Sequence, residues 1–303
     1  MRVFVTGATG FVGNWLQKEL LVAGHEVIPA PGPEVVDIVD RGALIDWLDD
    51  KAGPPDCVIH LAGMAFSPDA GSSPAEAFRV NLGGTVALFE ALREIGIRPP
   101  VVVSGSADVY GSPRSRDLPL REAAPMAPTG PYALSKVAQE GAAVEAAARH
   151  GFTVVVTRSF NHTGPGQRPV FVVPAMALRV SALKRGEAKA IPVGNVDVRR
   201  DLSDVRDVVV AYRLLAEWAA GGNADGQATI VNVASGQAVS IRSVIERLCS
   251  LAGVEPVLET DRSLVRDADP AEIRGDATLI ERLVGWRPII PLERTLSDVL
   301  AAC

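Results

Sequence analysis

Apolar and polar positions alternate between two spacings along this chain, and their order predicts an α/β fold. Arg2-Val3-Phe4-Val5 is a β-branched and aromatic run, which predicts a buried strand. Apolar residues at Val12, Trp15, Leu16, Leu20 and Leu21 then recur with helical period. Gly24 stops that helix, and His25-Glu26-Val27-Ile28 begins a second strand. Cys57-Val58-Ile59-His60-Leu61-Ala62-Gly63 predicts a third strand ending in small residues, where a ligand backbone can pass closely. Residues 81–95 carry the stripe Val86, Leu88, Phe89 and Leu92 of a helix, and Val101-Val102-Val103 follows as a strand. A long helix over 132–150 precedes the strand Thr153-Val154-Val155-Val156-Thr157. Strands and helices alternating in this way build a doubly wound parallel sheet, whose ligands bind outside the carboxyl ends of the strands. Ser106 and Asn161 both follow such ends.

From Gly164 the pattern loosens, with prolines, glycines and arginines crowding 165–200. Thr229-Ile230-Val231-Asn232-Val233 is a late strand, and 241–251 is helical. The expected division is a dinucleotide-binding domain over 1–163, with parts of about 202–240 returning to it, and a smaller, mainly substrate-binding lobe over 164–303.

Between the first strand and the first helix lies Thr6-Gly7-Ala8-Thr9-Gly10-Phe11-Val12-Gly13. Its G-x-x-G-x-x-G spacing differs from the commoner G-x-G-x-x-G, yet it allows the same tight turn. The helix behind it presents free N–H groups and the positive end of its dipole. A plain glycine-rich turn shares the glycines. The flanking strands and the helix make a dinucleotide pyrophosphate the expected occupant. Glu34 lies about 20 residues past the loop, where NAD sites place an acid, but it sits beside Pro33 and reads as a solvated loop acid. No arginine or lysine lies between Lys18 and Arg41 to meet a 2′-phosphate, so NADPH and NADH both remain open.

Composition narrows the partners. With 48% hydrophobic and 22% charged residues the chain reads as a soluble globular protein. Thirty basic against thirty-six acidic residues, with no block of like charge, argue against nucleic acid or an anionic membrane as the main partner. An anionic small molecule stays open, since local arginines bind one whatever the net charge. The three cysteines, Cys57, Cys249 and Cys303, have no metal-like spacing and suit a reducing cytosol. A first strand beginning at Arg2 leaves no room for a signal peptide, and no apolar run approaches the roughly 20 residues of a membrane span. The expected location is cytoplasmic.

The chemistry centres on Pro131-Tyr132-Ala133-Leu134-Ser135-Lys136. A tyrosine and a lysine four apart on a helix share a face. A nearby ammonium favours the ionised phenol, whose ordinary pKa is near 10, and so makes a proton donor or acceptor useful near neutral pH. In isolation the pattern is read first as a buried tyrosine beside a solvated lysine, and the glycine loop and Ser106 are what overturn that reading.

Taken together, Thr6 to Gly13, Ser106-Ala107-Asp108-Val109-Tyr110-Gly111, and Tyr132 with Lys136 resemble the extended short-chain dehydrogenase/reductase (epimerase/dehydratase) family, with its Rossmann-like fold. The likeness runs over nearly the whole chain and keeps the family's order and spacing. It implies that Ser106 is the catalytic hydroxyl and Tyr132 the general acid/base. Lys136 would hold the nicotinamide ribose and depress the tyrosine pKa, and Asp108 is a further catalytic candidate. It implies cofactor contacts at Gly7, Gly10, Phe11, Val12, Gly13, Leu61, Ala62, Gly63, Tyr132 and Lys136. Asp37-Ile38 resembles the acid–aliphatic pair that contacts the adenine.

Within the family, the stretch Arg158-Ser159-Phe160-Asn161-His162-Thr163-Gly164-Pro165-Gly166-Gln167 is similar to that of reductases of GDP-4-keto-6-deoxy-mannose. So are residues 194–208, Arg266-Asp267-Ala268-Asp269, Gly275-Asp276 and Gly285-Trp286. That resemblance implies a nucleotide-sugar held by Ser106, Asn161, Val172, Arg179, Arg200 and Arg266, the guanidinium forks suiting diphosphate oxygens. Ion pairs with Asp201, Asp204 or Asp269 compete for these arginines. His162 serves a structural role as readily as a ligand contact. The related 4,6-dehydratases carry glutamate at the position of Asp108 and lysine at that of Ala175, which favours a reductase here. The expected reaction is NAD(P)H-dependent reduction of the C4 ketone of a GDP-4-keto-6-deoxy sugar, giving GDP-rhamnose or its C4 epimer. The alternatives are a nucleotide-sugar 4-epimerase, a 4,6-dehydratase, or a non-catalytic dinucleotide-binding regulator. The resemblance also implies a homodimer through two helices of each subunit, over 83–95 and 132–150.

Overall fold

The computed structural model describes residues 1–49, 53–224, 228–265 and 269–303. Strand β1 (Arg2–Thr6) is buried through Val3, Phe4 and Val5, as its unbroken apolar run requires. The chain continues through α1 (Phe11–Val22), β2 (Glu26–Pro29), α2 (Arg41–Trp47) and β3 (Cys57–His60). Two short helices, α3 (Ser67–Ser72) and α4 (Pro74–Phe78), lead into a π-helical turn over Arg79–Gly83 and then α5 (Gly84–Glu94). Next come β4 (Val101–Ser104), α6 (Gly130–His150), β5 (Val154–Ser159) and β6 (Asn161–Thr163).

The second half contains α7 (Val172–Lys184), β7 (Ile191–Val193), β8 (Arg199–Asp204), α8 (Val205–Ala220) and β9 (Ala228–Val233). It ends with β10 (Ala238–Ser240), α9 (Ile241–Ala252), β11 (Leu258–Thr260), β12 (Glu272–Ile273), α10 (Thr278–Val284) and α11 (Leu292–Ala301).

Six parallel strands form the main sheet in the order β2-β1-β3-β4-β5-β9. The expected doubly wound α/β class is the one observed. The chain leaves β1 toward β2 and then crosses to β3 on the other side, so a switch point opens beside the glycine loop. Leu16 and Leu20 of α1 and Tyr212 and Leu215 of α8 cover one face of the sheet. Leu88 and Leu92 of α5 and the small residues Ala143, Ala146 and Ala147 of α6 cover the other. Those alanines let α6 seat close to the sheet, and the helix ends where Gly151 takes a left-handed conformation (φ 69°).

The stretch that reads as irregular in sequence holds an ordered helix, α7. Its Val173, Met176, Ala177 and Val180 pack with Val244, Ile245 and Leu248 of α9 and with Leu296 and Val299 of α11 in a separate core. Strands β10, β8 and β12 pair in one small sheet and β7 with β11 in another. Most of these strands have two or three residues, too few for a period to register. Helix α8 and strand β9 belong to the main sheet's layers, while β10 pairs with β8 in the lobe. Ile280 of α10 and Trp286 also reach the main core, further along than the returning stretch expected from sequence. No helix among the described residues is long and apolar enough to cross a membrane.

Candidate active site

A cleft of about 790 Å³ opens at the carboxyl ends of the main strands and is closed from the other side by α7, β8 and the residues after β7. Its floor at β1 is the glycine loop. Gly7 has φ +67°, and a Cβ there would stand 2.7 Å from the Ala62 nitrogen, so only glycine fits. A Cβ on Gly13 would stand 2.3 Å from the Gly7 carbonyl oxygen, so α1 presses directly on the loop. Gly10, Phe11 and Val12 complete this wall. Gly10 caps α1 with no side-chain acceptor, which leaves the first-turn N–H groups for an anion. The cradle fits a dinucleotide pyrophosphate.

Leu61 and Gly63, just past β3, also face the cleft, and a Cβ on Gly63 would strike Asn81 Oδ1 at 2.7 Å. Ala62 is not part of the wall; its N–H is taken by Thr6 Oγ1 at 3.2 Å. Asp37 and Ile38 stand outside the cleft as well. Asp37 accepts from Arg79 Nη1 at 2.8 Å, and Ile38 packs where a Cβ on Gly84 would go. The acid of the pair expected to contact adenine is thus already partnered by a guanidinium distant in sequence.

Ser106, Asp108, Tyr132 and Lys136 meet in the same cleft. Ser106 follows β4, and its Oγ accepts the Asp108 N–H at 3.1 Å, which aims the side chain and caps a short 3₁₀ turn. Tyr132 and Lys136 lie one turn apart near the start of α6, both buried. Here the structure corrects one expectation. Burial and the Asp108 charge push the Tyr132 phenol above its ordinary range, with Ser106 pulling weakly the other way. Lys136 is not among the groups that act on the phenol; its Nζ donates to the Ser104 carbonyl (2.9 Å) and Gln139 Oε1 (2.8 Å). Burial pushes Lys136 itself down to about 8. Tyr132 in this state is a protonated phenol.

Sequence reasoning missed the polar residues behind Lys136. Asn81, fully buried in the π-helical turn, takes the Met64 N–H on Oδ1 (2.8 Å) and gives Nδ2 to Ser135 Oγ (2.8 Å). His60, Thr85 and Gln139 are buried beside it. A polar side chain inside an otherwise apolar run, such as His60 in β3, was the signal available. Under the site, Arg158 of β5 and Glu140 of α6 form a buried pair, with Arg158 Nη1 also reaching the Glu122 carbonyl and Tyr110 Oη.

On the lobe side the cleft gathers Asn161, Val172, Arg179 and Arg200. Arg179 Nη1 donates to the Pro192 carbonyl at 2.6 Å. Arg200 pairs with Asp269, also in the cleft, and gives Nη1 to the carbonyls of Arg199 and Pro270. The competing ion pair weighed in the sequence thus exists, at the cleft wall rather than on the outer surface. Arg266 lies outside the described residues. His162 stacks on Phe11 with centroids 6.5 Å apart, and its Nδ1–H donates to the Phe160 carbonyl at 3.1 Å.

Residues 3–234 match the model of the NAD dependent epimerase/dehydratase family. The chain belongs to this family. It is 37% identical to the GDP-6-deoxy-D-mannose reductase of Pseudomonas aeruginosa, over 99% of this chain and 96% of that protein. The solved structure of RMD from Pseudomonas aeruginosa complexed with NADPH superposes with a TM-score of 0.89 at 36% identity, covering 99% of this chain and 98% of the other. The UDP-glucose 4-epimerase of Thermus thermophilus in complex with NAD follows at a TM-score of 0.85 and 25% identity, covering 100% and 98%. Family membership agrees with a nicotinamide dinucleotide at the glycine cradle.

Proposed function

We propose that this protein is a nicotinamide-dependent reductase of a GDP-linked 4-keto-6-deoxy sugar, acting at C4. The observation that carries this reading is the 37% identity to a GDP-6-deoxy-D-mannose reductase over nearly the full length of both chains. That Ser106, Tyr132 and Lys136 share one cleft supports it. When bound, a reduced nicotinamide supplies the hydride. As negative charge builds on the sugar's C4 oxygen, Ser106 Oγ–H donates to it and Tyr132 Oη gives up its proton. A phenol carries its proton at neutral pH and burial only tightens that hold, so Tyr132 enters the reductive direction as the protonated partner.

Lys136 holds the ribose next to the nicotinamide, and Gly7, Gly10, Phe11, Val12 and Gly13 hold the pyrophosphate, with Leu61 and Gly63 along its path. Asn161 and Val172 support the sugar nucleotide, and Arg179, Arg200 and Arg266 are assigned to its phosphate and ribose. Asp108 lines the same cleft as a further candidate, and its charge raises the pKa of the Tyr132 phenol. In this reading the enzyme is cytoplasmic and works as a homodimer through α5 and α6. Exposed Val86, Leu134 and Val144 on those helices and the free thiols of Cys57, Cys249 and Cys303 support that much.

The test offers GDP-, dTDP- and UDP-linked 4-keto-6-deoxy sugars with NADH and with NADPH, followed by the stereochemistry of the product. Stoichiometric cofactor oxidation with the GDP-linked ketone is expected. Interconversion of UDP-glucose and UDP-galactose without net cofactor oxidation would make the protein an epimerase instead.

A further inference from the structure

The polar residues behind Lys136 admit one arrangement of protons. Lys136 Nζ donates to Gln139 Oε1 at 2.8 Å, and Gln139 Nε2 donates to Thr85 Oγ1 at 3.0 Å. The Thr85 hydroxyl commits its own proton to the Asn81 carbonyl at 2.8 Å, so its oxygen also accepts from His60 Nε2–H at 3.0 Å. His60 Nδ1 then accepts from the Thr6 hydroxyl at 2.7 Å, whose oxygen takes the Ala62 N–H. Lys136 is 6% exposed, Gln139 1%, and Thr85, His60 and Thr6 are fully buried. A flipped Gln139 amide would set its NH₂ against the ammonium and its oxygen against a threonine with no proton left to give.

We propose that Gln139 is a positioning residue: its amide oxygen, oriented by Thr85 and His60, holds the Lys136 ammonium against the cofactor wall beside Gly63 and keeps it charged there. The inference rests on the reading of Lys136 as the ribose-holding group. A Cβ on Gly63 would stand 3.6 Å from Lys136 Nζ, which locates the ammonium at that wall. The charged and titratable groups facing it are few. Tyr132 and Glu140 share α6 with it, and Glu140 is matched by Arg158 of β5. Asp108, from the turn after β4, acts on Tyr132. His60 of β3 is held neutral, burial and the Lys136 charge pushing it down to about 3. The ammonium therefore depends on two neutral acceptors, the Ser104 carbonyl and Gln139.

The test follows the binding of reduced dinucleotide by its fluorescence, on the intact protein, as a function of pH. It needs no sugar, so its failure is separable from failure of the substrate assignment. Binding requires the ammonium, and affinity fades as pH rises through the Lys136 pKa. Gln139→Met keeps the volume but removes the acceptor. Affinity at neutral pH should fall about tenfold, and the fade should begin about one unit lower. Gln139→Glu replaces the ammonium's hydrogen bond to the amide oxygen with an ion pair, so the fade should move to higher pH. If Gln139→Met does not fold, the sign of the shift in Gln139→Glu carries the test alone. Profiles that superpose on the wild type's in the folded variants, with only the melting temperature lowered, would overturn the proposal. Lys136→Met run alongside should abolish the pH-dependent component. Unchanged affinity there would overturn both the proposal and the assignment of Lys136.

Discussion

Replacing Tyr132 with phenylalanine removes one oxygen from the cleft and little else. The ring packs against Ala70, Ala77 and Met64, contacts that phenylalanine keeps, so stability should change by less than about 1 kcal/mol. Cofactor affinity should stay within about threefold, because Lys136 is held by Ser104 and Gln139 and not by the phenol. Turnover should collapse. A positioned general acid contributes about 10²–10⁴-fold, or roughly 3–5 kcal/mol of transition-state stabilisation at 1.36 kcal/mol per decade. The loss should not be total, since in the proposed mechanism Ser106 still donates to the developing oxyanion and a single such donor is worth about 10²–10³-fold. Single-turnover loss of nicotinamide absorbance, with fluorescence titration of the cofactor, separates the two quantities. A rate within about tenfold of the wild type's would mean that the proton comes from elsewhere, and Tyr132 would lose its role.

Two further substitutions address the scaffold and the lobe. Glu140→Gln leaves the Arg158 guanidinium buried without its counter-charge; urea unfolding should register a loss of about 3 kcal/mol, and a loss under about 1 kcal/mol would mean that the Glu122 and Tyr110 contacts satisfy Arg158 by themselves. Arg200→Ala removes the proposed diphosphate donor and exposes the Asp269 carboxylate that it now neutralises, so the KM for the keto-sugar should rise about tenfold or more while the cofactor Kd changes little. An effect confined to the cofactor would place Arg200 on the other ligand.

What could be read from the chain alone was local. The glycine spacing, the apolar strands and the Tyr132–Lys136 pair each lie within about ten residues, where backbone geometry sets which side chains are neighbours. The lobe was obscure because its short strands and α7 draw their stability from a core assembled out of three distant helices. Sharing a helix face brought Tyr132 and Lys136 near each other, yet it did not decide where a four-carbon stem points. Gln139 lay only three residues from Lys136 and still went unread, since its meaning comes from Thr85 and His60, 54 and 79 positions away in the chain. The same holds for the phenol, whose proton is governed by burial and by Asp108, and for Arg200, whose partner sits 69 residues on. Sequence determined which groups are available, because residue type sets donors, acceptors and charges. Only the packed fold decided which of them meet, since desolvation and hydrogen-bond direction depend on every element that closes around the site.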